Sequence, residues 1–366
     1  MTREFEPKIR PRGTEVMLPH GGLPEVIPPY LVKLIESTGG ANGPLGLQFV
    51  AQPDLEADEF LGEATDSLLE DAHEIPSAPG LVYKYHAQTD ANGVLHPGRA
   101  LWTITRNCAA YCRFCTRGRE VGIPAGMEGL RTGALSHTPH LSDEQIQETL
   151  NFIWREPGLN EIILSGGDPL TIKPEKLKYV LGNLRQIQDA GKLDIVRIGT
   201  RVPIHNPVAI REAHYEAIRE LRKPYMMIHI NHPAELTPEA LYVLDRFRRD
   251  CDATVMSQTV LLKGVNDDVK TLATLFNKMA KEGIRPYYVY QNDPVYWATH
   301  LTVPMEETIK LVSTLRPLLS GVAATVRFVI DAPGAYGKIP LPEGDAWKVD
   351  YDAGFKDFKG TVRSLD

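Results

Sequence analysis

From Leu101 onward, short apolar runs rich in β-branched and aromatic residues alternate with stretches of helical periodicity. This alternation constrains the fold strongly, because strands joined by helices form a parallel sheet with right-handed crossovers. The runs predict seven strands, which are Leu101–Thr105, Glu161–Ser165, Ile195–Thr200, Met226–Ile230, Thr254–Thr259, Pro286–Gln291 and Thr325–Asp331. Six βα units are too few for a closed eight-fold barrel. The sequence therefore predicts an α/β fold with a partial (β/α)6 TIM-like barrel, and an open doubly wound sheet is the alternative.

Two helix starts are marked between these strands. Ser142-Asp-Glu-Gln145 is a capping-box signature, and Thr237 precedes a proline at the first helical position, Pro238. The first hundred residues differ, since they are rich in Pro and Gly and contain acidic helical stretches such as Leu55–His73. We expect a partly helical N-terminal region without a sheet of its own over 1–97, the barrel over 98–331, and a C-terminal loop and tail over 332–366.

The overall composition excludes several classes of protein. The 366 residues carry a net charge of −7, which argues against a nucleic-acid-binding surface. No apolar run is long enough to span a membrane, and the N-terminus lacks the apolar region of a signal peptide. We therefore predict a cytoplasmic protein.

Three of the four cysteines fall within eight residues, with the spacing Cys108-x3-Cys112-x2-Cys115, whereas Cys251 stands alone as a bystander thiol. In a reducing compartment, such a cluster indicates metal binding or catalysis more than disulfides. An electron-transfer [4Fe–4S] cluster takes four thiolates, so three thiolates leave one iron open. The alternative is a zinc site with three cysteines and one histidine, for which the candidates are His96, His137 and His140.

Polar residues follow several predicted strands directly. Gly166-Gly167-Asp168 follows the second strand, Arg201 the third and Asp293 the sixth, and Asp331 ends the last. Because active sites of parallel α/β folds lie at the carboxyl ends of the strands, we expect these residues to share one site.

The cysteine spacing, Phe114 before the last cysteine and the downstream Gly-Gly-Asp together resemble the signature of radical S-adenosylmethionine (SAM) enzymes. The segments CRFCTRGRE, LSGGDPL, VRIGTRVP, HINHPAELT, SQTVLLKGVND, YYVYQND and DAPGAYGK resemble, in order, those of the lysine 2,3-aminomutase family. That family moves an α-amino group to the β-carbon with a [4Fe–4S] cluster, SAM and pyridoxal 5′-phosphate (PLP). The resemblance implies cluster ligation by the three clustered cysteines and SAM contacts from Phe114, Gly166, Gly167, Asp168, Arg201 and Gln258.

The resemblance also implies a PLP site. Lys338, in a glycine-flanked segment that we predict to be a flexible loop, would be the catalytic residue that forms the Schiff base with PLP. Arg99, Tyr85 and Lys84 match positions that contact PLP, although residues 86–98 form a longer insertion than the family pattern suggests.

The substrate positions follow in the same way. Arg117 matches the arginine that binds the substrate carboxylate, and a guanidinium suits that role. Asp293 and Asp331 match two acidic residues that hold the distal ammonium of lysine. We therefore expect a 2,3-aminomutase acting on L-lysine or a similar basic amino acid.

Other functions remain open from the sequence. A β-lysine-forming enzyme of elongation factor P modification would use the same cofactors, as would a mutase for arginine, ornithine or glutamate. An iron–sulfur electron carrier or sensor would neither cleave SAM nor bind PLP. The resemblance further implies an external electron donor of the flavodoxin or ferredoxin type and a homo-oligomer, although the sequence has no cysteine after Cys251 for the C-terminal zinc site of longer relatives.

Overall fold

The computed structural model describes residues 23–56, 66–122, 140–333, 337–342, 349–350, 354–356 and 361–363. His137, part of the acidic stretch at 55–73 and residues 334–336 of the predicted lysine loop lie outside the described residues.

One large sheet organises the described part of the chain. Its nine strands, in spatial order, are β1 (Leu81–Tyr85), β4 (Gly98–Thr105), β5 (Leu159–Gly166), β6 (Ile195–Thr200), β7 (Tyr225–His229), β8 (Thr254–Leu261), β9 (Arg285–Gln291), β10 (Arg327–Ala332) and β11 (Gly337–Pro340). The seven strands from β4 to β10 run parallel, and β1 and β11 are antiparallel at the two edges. The seven predicted strands are therefore confirmed, with small shifts at their ends.

Helices connect the parallel strands in each of the six crossovers. Along the described chain the helices are α1 (Pro29–Ser37), α2 (Gly46–Phe49), α3 (Pro53–Glu56), α4 (Asp143–Arg155), α5 (Pro174–Asp189), α6 (Val202–His205), α7 (Glu212–Ile218), α8 (Pro238–Cys251), α9 (Val269–Lys281) and α10 (Met305–Leu315). The partial (β/α)6 barrel is thus confirmed. Among the residues described, we find no helix with both the length and the apolar character needed to cross a membrane.

Both marked helix starts are confirmed. The backbone N–H of Gln145 donates to Ser142 Oγ at 3.2 Å, and Ser142 N–H donates to the Gln145 side chain at 2.9 Å. Thr237 Oγ1 accepts from the N–H of Ala240 at 3.2 Å at the start of α8. These contacts satisfy donors that the first helical turn leaves without intrahelical partners.

The main apolar core lies between the outer face of the sheet and the helices that cover it. The inner face of the barrel mixes apolar side chains, such as Leu101 and Ile163, with charged ones. Arg99 on β4 and Arg197 on β6 both contact the carboxylate of Glu161 on β5, at 2.9 and 2.5 Å. A barrel interior with paired charges beside aliphatic side chains is suited to binding ligands that have both polar and apolar parts.

The prediction that the N-terminal region has no sheet was wrong. Strand β1 pairs with β4, and residues 88–89 (β2) and 95–96 (β3) form a two-stranded hairpin in the 86–98 insertion. The physical reason is that β4 would otherwise present an unpaired edge, which β1 covers.

The prediction of a flexible loop around Lys338 was also wrong. Lys338 lies in β11, directly opposite Asp331 of β10 in the antiparallel register. A Cβ added to Gly337 would lie 2.9 Å from Tyr85 Oη, so the two edge strands β1 and β11 approach each other here. Beyond β11, residues 349–350 (β12), 354–356 (β13) and 362–363 (β14) form a small three-stranded sheet.

Candidate active site

The cysteine loop begins where β4 ends and lies over the carboxyl ends of the barrel strands. Cys108, Cys112 and Cys115 are half-buried, free thiols that pack against a second apolar cluster. Cys115 N–H donates to the carbonyl of Cys112 at 3.1 Å, and Trp297 Nε1 donates to the carbonyl of Cys115 at 3.1 Å. These contacts hold the loop backbone in place.

The Gly-Gly-Asp run supports this loop from below. Gly167 N–H donates to the carbonyl of Thr105 at 2.6 Å, and Asp168 N–H donates to that of Asn107 at 2.7 Å. A Cβ on Gly167 would lie 2.2 Å from the Asn107 carbonyl oxygen, and Gly166 has φ +107°. Glycine is therefore required here by close approach and by backbone conformation, independently of any ligand.

The carboxylate of Asp168 is occupied within the protein. It accepts hydrogen bonds from Thr200 Oγ1 at 2.8 Å and from the backbone N–H groups of Leu170 (3.0 Å), Arg201 (2.7 Å) and Val202 (3.2 Å). The side chain thus ties the end of β5 to the end of β6. A contact between residues 166–168 and SAM stays a prediction. Main-chain groups would make this contact, because the Asp168 carboxylate is already hydrogen-bonded within the protein.

Arg201 joins the cysteine loop to the N-terminal region. Its Nη1 donates to Cys112 Sγ at 2.9 Å, and its Nη2 donates to Glu235 Oε1 at 2.6 Å and Gln48 Oε1 at 2.5 Å. The guanidinium lies 4.5 Å from the ring centroid of Phe49. A cation in contact with one of the three sulfurs would stabilise the thiolate form that binds metal.

One cavity of about 290 Å³ connects the cysteine loop with β11. Its wall contains nearly all of the predicted site residues, namely Lys84, Tyr85, Arg99, Cys108, Cys112, Phe114, Cys115, Arg117, Gly167, Asp168, Arg201, Gln258, Asp293, Asp331 and Lys338. Gly166 lies at the end of β5, beside this wall.

The three thiols fit a metal cluster. Burial, together with the neighbouring thiols, raises the pKa of Cys108 well above its ordinary value and that of Cys115 to about 12. Three mutually repelling buried thiolates require positive charge to form, and bound metal supplies it. The donor set and its position on the cavity wall therefore suit a [4Fe–4S] cluster with one iron left for another ligand.

The structure gives no support to the zinc alternative. His96 lies in the exposed hairpin near Asp90, at 3.5 Å, and His140 shares a 3.0 Å hydrogen bond with Thr105 Oγ1. Neither histidine lines the cavity. Within the ranges that the structure describes, no group of three or more His, Cys, Asp or Glu has the spacing to hold a single metal ion.

The predicted PLP residues line the cavity. Arg99 pairs with Tyr85 across β4 and β1, and its guanidinium lies 4.9 Å from the tyrosine ring centroid. Lys84 forms an ion pair with Glu70 at 3.0 Å. A basic group beside an aromatic ring is suited to a phosphorylated aromatic cofactor.

Arg117 is bound by a residue that sequence reasoning missed. Its Nε and Nη2 donate to the two carboxylate oxygens of Glu70 at 2.9 and 2.8 Å. Glu70 is one of 47 acidic residues, and its partners are remote in sequence, so no sequence signal marks it.

The two predicted acidic residues have different environments. Asp331 Oδ2 accepts from Lys338 Nζ at 3.0 Å, and the Lys338 ammonium also lies 5.1 Å from the ring centroid of Tyr290. Burial lowers the pKa of Lys338, and Asp331 opposes that shift. Asp293 is half-buried, and burial together with the charge of Asp331 raises its pKa to about 7.

Three further cavity residues, Tyr290, His229 and His205, were not predicted individually. Gln258 Nε2 donates to Tyr290 Oη at 3.1 Å, and the His229 ring meets Phe114 edge-on at 5.4 Å between centroids. Burial, with Arg201 nearby, lowers the pKa of His205 to about 3, so this ring is neutral. His229 belongs to the segment HINHPAELT, which was the available sequence signal for it.

Comparison with known proteins places this site in a family. Residues 102–276 match the radical SAM superfamily. The chain is 32% identical over 315 residues to the L-lysine 2,3-aminomutase of Clostridium subterminale, which covers 86% of this chain and 68% of that protein. It is 33% identical over 338 residues to a putative L-lysine 2,3-aminomutase of Aquifex aeolicus, which covers 91% of this chain and 82% of that protein.

The chain belongs to the lysine 2,3-aminomutase family. It is therefore a radical SAM enzyme of the aminomutase type, and its cofactors include a [4Fe–4S] cluster and SAM. A glutamate 2,3-aminomutase of Clostridioides difficile is a more distant relative, at 28% identity over 246 residues, which cover 67% of this chain and 54% of that protein. Among solved structures, Streptococcus suis SuiB bound to S-adenosylmethionine has a TM-score of 0.47 at 12% identity, covering 66% of this chain and 52% of that chain.

Proposed function

We propose that this chain is a PLP-dependent amino acid 2,3-aminomutase that acts on L-lysine or a similar basic amino acid. The observation that carries the proposal is one cavity whose wall holds both the cysteine loop and the group formed by Arg117, Asp293, Asp331 and Lys338. A carboxylate-binding cation and two carboxylates in one cavity complement an amino acid with a distal positive charge.

Cys108, Cys112 and Cys115 would hold a [4Fe–4S] cluster, and the absence of a fourth thiolate among them would leave room for SAM at that cluster. When bound, the cluster and SAM supply a 5′-deoxyadenosyl radical, and PLP supplies the carbonyl carbon that carries the amino group. The cavity supplies position and excludes water. SAM would contact Phe114, Arg201, Gln258 and the 166–168 main chain.

Lys338 is the proposed covalent partner of PLP. The side chain is half-buried, and burial lowers the pKa of its ammonium, which brings it closer to the nucleophilic neutral form. Asp331 opposes that shift, and its Oδ2 accepts a hydrogen bond from the Lys338 ammonium at 3.0 Å in the resting state. The resting ion pair therefore places the lysine without leaving an unpaired charge in the cavity.

The substrate is held at both ends. Arg117 would bind the α-carboxylate, while Asp293 and Asp331 would hold the distal ammonium. The same two carboxylates disfavour glutamate, because its side chain would bring a third negative charge beside them. The names of the relatives in Clostridium subterminale and Aquifex aeolicus support lysine in particular.

An anaerobic turnover assay with reconstituted protein, reductant, SAM and PLP tests the proposal. We expect a β-amino acid from L-lysine or another basic amino acid, identified by chiral chromatography against arginine, ornithine and glutamate. Turnover of glutamate alone would contradict the assignment of a basic substrate. SAM cleavage without any β-amino acid would contradict the mutase assignment.

Two partners complete the proposal. An external reductant of the flavodoxin or ferredoxin type would deliver the electron that SAM cleavage consumes. A homo-oligomeric state is proposed from the family resemblance, and mass measurement of the purified holoenzyme would test it.

A further inference from the structure

Glu70 is a buried carboxylate that binds two cations of the cavity wall at once. Its relative exposure is 5%. Oε2 accepts from Arg117 Nε at 2.9 Å, while Oε1 accepts both from Arg117 Nη2 at 2.8 Å and from Lys84 Nζ at 3.0 Å. Burial opposes its ionisation, but the charges on Arg117 and Lys84 outweigh burial and hold the pKa of Glu70 well below its usual range.

The geometry of the pair leaves one edge of the arginine available. A guanidinium can bind a carboxylate along its Nε–Nη2 edge or along its Nη1–Nη2 edge. Glu70 takes the first edge. In the described part of the chain, Nη1 of Arg117 has no hydrogen-bond acceptor, and Arg117 lines the cavity. A second carboxylate can therefore bind from the cavity without displacing Glu70.

The charges also match one substrate carboxylate. Arg117 and Lys84 carry two positive charges and Glu70 carries one negative charge, so the three together have one positive charge. Glu120 is nearby and pairs with two other cations, Arg119 at 2.8 Å and Arg106 at 3.8 Å. A single net positive charge suits the monoanionic α-carboxylate of an amino acid.

The backbone around Glu70 is built to hold this position. Leu69 has φ +54°, a left-handed backbone conformation that residues with a branched side chain rarely adopt. The next residues are fixed from outside the turn, since Arg119 donates to Asp71 at 2.7 Å and Glu74 bridges to Val82 of β1. Contacts with other segments therefore hold the residues that follow Leu69 in place.

We propose that Glu70 is a positioning residue that orients Arg117 and Lys84 so that the Nη1–Nη2 edge of Arg117 binds the substrate α-carboxylate. The inference rests on the proposed function, and it gives the N-terminal region an indirect part in substrate recognition. Glu70 touches neither substrate nor cofactor in this assignment, and it acts through Arg117.

The test is Glu70→Gln in the reconstituted holoenzyme, with kcat and KM measured for the best amino acid substrate. Glutamine places an NH2 group against one of the arginine donors, so Arg117 turns away from its bound orientation. We expect KM to rise about tenfold or more while kcat changes less than about threefold, since the lost orientation weakens carboxylate binding. Glu70→Asp keeps the charge but is one methylene shorter, so its KM should lie between those of wild type and Glu70→Gln.

A matched control is Glu156→Gln. Glu156 is half-buried and, like Glu70, accepts a side-chain hydrogen bond, from Tyr83 at 2.6 Å, but it does not line the cavity. Its KM should stay at the wild-type value. A competing diamine without a carboxylate, cadaverine, should inhibit wild type and Glu70→Gln equally, because it makes no use of Arg117.

Each outcome bears on the proposal. An unchanged KM in Glu70→Gln would overturn it, and a lower KM would show instead that Glu70 competes with the substrate for Arg117. If the inhibition constant of cadaverine rises in Glu70→Gln by as much as KM does, the substitution has damaged the cavity in general, and that result would also overturn the proposal. If the wild type turns over no amino acid, the proposed function fails; thermal-shift binding of L-lysine by wild type and Glu70→Gln then tests the inference separately.

Discussion

Replacing Asp293 by asparagine should stabilise the protein above pH 7 and weaken substrate binding at the same time. Burial and the neighbouring charge of Asp331 raise the pKa of Asp293 from 3.8 to about 7. Each pKa unit corresponds to about 1.4 kcal/mol, so the full penalty for its charge is about 4 kcal/mol. Because the residue is only half-buried, solvent screens part of this penalty, and we expect about 2 to 4 kcal/mol.

The sign follows from proton binding. Between about pH 4 and pH 7 the folded protein holds a proton on Asp293 that the unfolded chain has released, so stability falls as pH rises through this window. The asparagine variant has no proton to release at this position. The stability difference between variant and wild type should therefore be near zero at about pH 4, grow up to about pH 7 and then remain constant.

Denaturant melts of wild type and Asp293→Asn at half-unit steps from about pH 5 to pH 8.5 measure this difference. Asp331→Asn is the matched control, because it removes the negative charge that pairs with Lys338 and should destabilise the protein at about pH 8. A difference that does not vary with pH, or a less stable Asp293→Asn in the alkaline samples, would refute the reasoning. L-Lysine should raise the melting temperature of wild type more than that of Asp293→Asn. Its ammonium pairs with the ionised Asp293 carboxylate of the wild type, and the variant has no such charge.

Two further substitutions test the supports of the site. Asp168→Ala should destabilise the protein by about 3 to 6 kcal/mol in thermal and denaturant melts, because it leaves several buried donors without acceptors. Asp168→Asn should cost less stability. If both variants are as stable as wild type, the reasoning is contradicted. Glu56→Gln should cost about 3 to 5 kcal/mol, because it breaks the fully buried ion pair with Arg113; a double Glu56→Gln/Arg113→Met variant that is no less stable than wild type would show that the loss comes from the unpaired charge.

The parallel strands and two helix starts could be predicted because their signals are local. Apolar runs such as Ile195–Thr200 have the same bounds in sequence and structure, and Ser142 and Gln145 lie within one helical turn. The cysteine loop was also local, with its ligands inside eight residues.

The edge strands could not be predicted because their stability depends on distant partners. Residues 81–85 and 337–340 are short, mixed in polarity and next to or begun by a glycine, so their own pattern does not show which strand each would pair with. Each forms because the neighbouring parallel strand has unpaired backbone groups on that side.

Two features of the site were hidden for a similar reason. Glu70 is defined by Arg117 and Lys84, which lie on other segments, and the unequal environments of Asp293 and Asp331 arise only when Lys338 arrives opposite Asp331. Residue types and spacing can be read along a chain, but a buried ion pair depends on the geometry of the completed fold.

Tyr85 and Gly337 can meet only after the last strand of the large sheet has been made. A ribosome therefore completes the cysteine loop while most of the barrel strands are still missing, and it adds Lys338 only after all seven parallel strands. The three thiols emerge early, but the loop that carries them is held by residues 167–168, by Arg201 and by Trp297. We therefore expect a nascent chain to hold iron and sulfide stably only after β9 has been made, which leaves little of the chain to be added between cluster uptake and completion of the substrate site.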